Sequence, residues 1–126
     1  MLRNYTPHPI KFYNIDNCYV GNYGKLMLKE GVKPVMILPT EGCVRVETME
    51  IQIGNIEGYP LVMMQPKEPF ALPEIIEKDG YYIVSLMAAK AIKKYRPDIA
   101  GRFLCIAGAV FGENGTVVGC TKLARV

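Results

Sequence analysis

Ser85 and His8 are the only serine and the only histidine in the chain. Any Ser-His nucleophile would have to be built from these two, with a third group such as Asp98 to orient the imidazole. The residues around Ser85 read I-V-S-L-M, without the glycines of a G-x-S-x-G elbow. Neither G-x-x-x-x-G-K-[ST] nor G-x-G-x-x-G occurs, so the motifs of nucleotide-hydrolysing enzymes are missing. Glu41, Glu47, Glu50 and Glu57 are spread along strands and turns, with nothing to fix a catalytic pair. The four cysteines, Cys18, Cys43, Cys105 and Cys120, contain no C-x-x-C pair, and His8 is the one further soft ligand. They read as reduced, buried thiols of a cytoplasmic protein, with no metal site and no disulfide. The chemistry left to this chain is recognition: it reads as a binder that carries no cofactor, rather than as an enzyme.

Four polar stretches are candidates for that recognition. In Y81-Y-I-V-S-L-M-A-A-K-A-I-K-K-Y95 a β-branched and aromatic run passes directly into a helix-favouring one. Ser85 stands where an N-cap belongs, its hydroxyl free to accept an unpaired amide of the first turn. In N4-Y-T-P-H-P9 the two prolines stiffen the chain and hold it extended around Thr6 and His8. In P39-T-E-G-C-V-R-V46, Arg45 is out of phase with the apolar Val44 and Val46, which suits either a solvent-facing residue or a ligand clamp. In R96-P97-D98, Pro97 stops the helix, and Arg96 and Asp98 either pair with each other or face a ligand.

The elements that must position these residues follow from turn and period signals. Pro9 to Asn14 reads as a first strand, and Asn17 to Gly24 as a hairpin or irregular loop. Val35 to Leu38, bounded by Pro34 and Pro39, reads as a short edge strand. Val44 to Ile56 is the longest β-like run, but its apolar residues slip from even to odd positions, which calls for a bulge or break near Thr48. Glu57-Gly58 turns that run into Tyr59 to Met64, and Asn114-Gly115 joins Ala109 to Glu113 with Thr116 to Leu123. The stretch PKEPFALPEIIEKDG reads as a surface loop. The expectation is a single α+β domain over residues 1–126. It would hold a mainly antiparallel sheet of about six or seven short strands and one main helix near residues 85–95.

Composition narrows the class of partner. With 126 residues, half of them hydrophobic, the chain can bury a core. No apolar run approaches the roughly 20 residues of a membrane span, and the N-terminal residues lack the apolar run of a signal peptide. Five basic residues lie between Lys90 and Arg102, with Lys90, Lys93 and Lys94 on one helix face. That is a solvated helix face near a C-terminus rather than the broad basic stripe that nucleic acid requires.

The ordered set N-x-T-P-H-P-I, P-x-x-G-x-x-R-V, E57-G-Y-P60, Y-Y-I-V-S-x-x-A-A, R-x-D and G-x-V-x-G-C resembles a family of small phage- and prophage-encoded proteins, from Asn4 to Cys120. Relatives tend to carry a charged pair after the valine corresponding to Val110, where this chain has Phe111-Gly112. The resemblance implies a non-enzymatic anti-defence protein in the host cytoplasm, of the kind that sequesters cyclic or ADP-ribose-type nucleotide signals. A phosphate would then sit on the helix start at Ser85. Arg45 or Arg96 would clamp it, Thr6, His8 and Asp98 would address ribose hydroxyls, and Tyr81 or Tyr82 would stack on a base. A chain of this size gains from building such a pocket between subunits, so a homo-oligomer is expected. The alternatives are a phage protein that binds a host effector through a strand edge or the surface around Met63 and Met64, and an accessory virion protein.

Overall fold

The computed structural model describes residues 1–126 and contains ten strands and one α-helix. In chain order these are β1 (Leu2–Asn4), β2 (Ile10–Phe12), β3 (Cys18–Val20), β4 (Leu26–Leu28) and β5 (Met36–Leu38). The long β6 (Thr48–Ile56) and β7 (Tyr59–Pro66) follow, then β8 (Tyr81–Ile83), α1 (Leu86–Tyr95), β9 (Phe103–Phe111) and β10 (Val117–Ala124). Eight of the strands form one sheet with the main order β1-β8-β9-β10-β2-β5, and the β3–β4 hairpin joins it where β4 pairs with β9. β6 and β7 form a separate two-stranded sheet.

The fold is α+β, mostly strands with one helix, but the expected pairing is corrected. The sheet is mixed: β1–β8, β8–β9, β10–β2 and β4–β9 run parallel. Ten strands replace the six or seven expected. Three-residue strands such as β1 and β4 are too short to show a period of two. Three of the parallel pairs, β1–β8, β10–β2 and β4–β9, join segments far apart in the chain, and the fourth, β8–β9, is closed by a crossover through α1.

Local signals position the rest. Ser85 caps α1 by accepting the amide of Ala88 at 3.2 Å, and the helix ends at Tyr95 before Pro97. The buried face of α1 is Ala88, Ala89, Ala91 and Ile92. These mostly small side chains let the helix lie close over β8 and β9, where Ala88, Ala89 and Ile92 pack with Val84, Tyr82 and Phe103. The slip expected near Thr48 resolves into two features. Val44 leaves the hairpin for the core, with β6 starting at Thr48, and a register shift follows between Gln52 and Gly54. Glu57 and Gly58 both have positive φ, 50° and 84°, as the twist-matched two-residue hairpin turn requires.

β2 and β10 come together unusually closely. A Cβ on Gly119 would lie 2.5 Å from the Lys11 carbonyl oxygen and 2.5 Å from the Tyr13 ring. Only glycine admits this parallel approach, which carries the turn before β2 over the middle of the sheet.

A candidate ligand cleft at the start of the helix

Asn4 builds one wall of the cleft. Its side chain is fully buried and has a partner at every polar atom. Nδ2 donates to the carbonyls of His8 at 2.8 Å and Leu38 at 3.0 Å, while Oδ1 accepts the Thr6 amide at 2.9 Å and the Thr6 hydroxyl at 2.6 Å. This is an Asx-type turn, with the side chain standing in for backbone. The Thr40 hydroxyl donates to the Thr6 carbonyl from the other side. Pro7 and Pro9 stiffen the same few residues. The turn is thus fixed from three directions, and His8 stands on a rigid support.

Facing that turn is the strand-to-helix junction. Val84 is held to β9 through its amide and the Leu104 carbonyl at 2.9 Å, so Ser85 and the first turn of α1 project at a defined place. Between the two walls lies a cleft of about 380 Å³, within the range of small-ligand pockets. Its floor is apolar, from Ile10, Val84, Cys105, Ile106, Val117 and Val118. Its polar lining comes from Thr6, His8, Lys11 and Ser85. Among its 14 lining residues there is one lysine and no carboxylate, and the positive end of the α1 dipole adds to the same sign. Ser85 satisfies the amide of Ala88. The amides of Leu86 and Met87 precede any carbonyl that could pair with them inside the helix. The cleft therefore suits a ligand with a flat apolar part and an anionic part.

The structure brings three of the residues singled out from the sequence, Thr6, His8 and Ser85, to this one cleft. The Thr6 hydroxyl is committed to Asn4 and lies 3.0 Å from the His8 carbonyl, so its first task is to shape the turn. The imidazole of His8 and the hydroxyl of Ser85 share the cleft without a hydrogen bond between them, and Ser85 is engaged with Ala88.

The other four lie elsewhere. Tyr82 is 1% exposed, stacked on Phe103 with ring centroids 5.4 Å apart and edge-on to Tyr5 at 5.5 Å. Its hydroxyl accepts the Glu77 amide at 2.9 Å and donates to the Ile75 carbonyl at 3.1 Å. It presents no ring face to a ligand. Instead it pins the 66–80 loop to the core. Arg45 is exposed and its backbone bridges Phe70. Arg96 and Asp98 pair with each other through two contacts of 3.1 Å. The Arg96 hydrogen bond holds the Asp98 carboxyl below the usual carboxylate range. Tyr81 is partly exposed but turns toward Arg102, whose guanidinium stands 5.4 Å from its ring centroid.

No family model, curated protein or solved structure matches the chain. The site therefore rests on its own geometry. Two of its residues escaped the sequence reading. Asn4 carried a signal in the N-x-T spacing, which sets a side-chain acceptor two residues before an amide. Lys11 sits between the inward-facing Ile10 and Phe12 of β2, and that alternation alone places it outward on the strand beside the turn.

Proposed function

We propose that this chain is a non-enzymatic phage anti-defence protein that binds and sequesters a nucleotide immune signal of the cyclic-nucleotide or ADP-ribose type. The observation that carries this reading is the convergence of His8, Lys11 and the Ser85 helix start on one apolar-floored cleft free of carboxylates. In it, a base or other flat group rests on Ile106, Val117 and Val118. A phosphate lies toward the first-turn amides and Lys11. His8 on its stiff turn addresses a phosphate or ribose oxygen. The cleft is formed within one chain, so capture does not require a second subunit. The resemblance of the motif set to phage and prophage proteins supports the biological setting, the host cytoplasm. No helix is long and apolar enough to cross a membrane.

The test is native mass spectrometry and calorimetry with a panel of cyclic dinucleotides, cyclic ADP-ribose isomers and ADP-ribose. The reading expects one ligand class to bind at one molecule per chain and to be released chemically intact on heat denaturation. A panel in which nothing binds overturns the nucleotide reading and favours a host-protein target. A ligand released in altered form overturns the non-enzymatic one.

A further inference from the structure

The β6–β7 hairpin stands apart from the main sheet, and its two faces differ. Cross-strand partners in an antiparallel pair share a face. Met49 opposite Gln65 and Ile51 opposite Met63 therefore lie on one side, while Glu50 opposite Met64 and Gln52 opposite Val62 lie on the other. The register shift between Gln52 and Gly54 then changes the parity of β6, so that Leu61 and the Ile56–Tyr59 pair continue the first side. The bulge keeps the apolar residues together: Met49, Ile51, Ile56, Tyr59, Leu61 and Met63 form an uncharged face, with Ile53 at the bulge. All seven are exposed, between 38% and 77%.

An isolated two-stranded hairpin is marginal in water, and its apolar face is large. At about 200 Å² for a large side chain, roughly half of it open at each position, the face offers ~700 Å². That is close to the ≈800 Å² per partner of a standard interface, and beyond what monomers usually leave open. We infer that this face docks on the same face of a second copy of the chain, giving a two-fold dimer with the two hairpins stacked.

Charge does not oppose that occupant. The face itself carries no charge, so two copies meet without like-charge contact, and Glu50 points away from the seam. The hairpin tip carries Glu57. Its base is flanked by Lys67, 3.8 Å from Glu47, and by Lys94, whose ammonium lies 5.3 Å from the ring of Tyr95. The Tyr95 hydroxyl in turn donates to the Pro66 carbonyl at 2.9 Å. An antiparallel two-fold brings each Glu57 tip to the partner's base, where Lys67 is already paired with Glu47 and Lys94 has no carboxylate partner. The inference is independent of the ligand reading, because the cleft is built from other elements.

Sedimentation equilibrium or light scattering at micromolar concentration tests it. The wild type should show about twice 14.1 kDa. Ile51→Lys and Met63→Lys, both at exposed positions, should return the mass to the monomer with an unchanged circular dichroism spectrum. Glu50→Lys, on the opposite face, should leave the dimer intact. A wild type that stays at 14.1 kDa overturns the inference and leaves the face to a partner of another kind. So does a dimer that survives both face substitutions, or one that Glu50→Lys disrupts equally.

Discussion

The side-chain amide of Asn4 donates to the carbonyl of His8 at 2.8 Å, and through this bond a fully buried residue of β1 sets the position of an exposed residue on the cleft wall. The same side chain holds Thr6 and Leu38. The turn that carries His8 on the cleft wall is thereby tied into the core rather than laid over it.

Asn4→Ala should be among the most destabilising single substitutions in the chain. It leaves the Thr6 amide without its acceptor and takes a donor from the His8 and Leu38 carbonyls, around a side chain that is itself fully buried. The expected loss is about 3 kcal/mol, since a buried polar group left unpaired costs roughly 1–3 kcal/mol. Urea unfolding measures it, and a loss under about 1 kcal/mol would mean that the turn is held by its prolines alone.

Gly119→Ala should separate β2 from β10. The new methyl would meet the Lys11 carbonyl and the Tyr13 ring at 2.5 Å each, and the backbone carbonyl cannot rotate aside. The expected cost is about 1–3 kcal/mol from overpacking, with ligand affinity falling because Lys11 moves with β2. Unchanged stability and affinity together would show the approach to be loose.

Ser85→Ala and Tyr82→Phe separate a cleft residue from a core residue. Loss of the Ser85 cap should lower stability by about 1 kcal/mol, and should also weaken ligand binding by disturbing the first-turn amides. Tyr82→Phe should lower stability by a similar amount, since it leaves the Glu77 amide without its acceptor. It should leave affinity unchanged, because the ring lies outside the cleft. Thermal melts and titration of both variants decide the matter, and equal effects on affinity would contradict the placement of Tyr82.

All four cysteines are free, with Cys105 and Cys120 buried. Burial pushes the Cys120 thiol above its ordinary pKa, which disfavours the reactive thiolate. Reductant should leave the melting temperature unchanged, and iodoacetamide should spare Cys120 in the native state. Rapid modification of Cys120, followed by mass spectrometry, would show that the sheet opens readily.

What could be read from the sequence was local. The cap at Ser85, the end of the helix before Pro97 and the Glu57-Gly58 turn each depend on a few adjacent residues, and each stands in the structure. The parallel partners of β8 were not read, because β1 comes from the far end of the chain and β9 returns to β8 only through the crossover of α1. That pairing also hides Tyr82. With β8 flanked by strands and covered by α1, residues Tyr82, Ile83 and Val84 are all buried, and the alternation that would separate inward from outward is lost. Arg45 and Arg96 carry the right chemistry for an anion, but one precedes the β6–β7 hairpin and the other caps the helix C-terminus, and neither lines the cleft. Thr6, His8 and Ser85 met because β10 lies between β9 and β2, a neighbourhood that no local pattern records.

The most direct test of the central claim is isothermal titration of the ligand found in the nucleotide panel against four variants. His8→Ala and Lys11→Ala should each weaken binding by at least about tenfold, about 1.4 kcal/mol, and more salt should weaken the wild type further. Arg45→Ala and Arg96→Ala should bind as the wild type does. If instead Arg96→Ala or Arg45→Ala abolishes binding while His8→Ala and Lys11→Ala leave it intact, the cleft between the Asn4-held turn and the start of α1 is not the site.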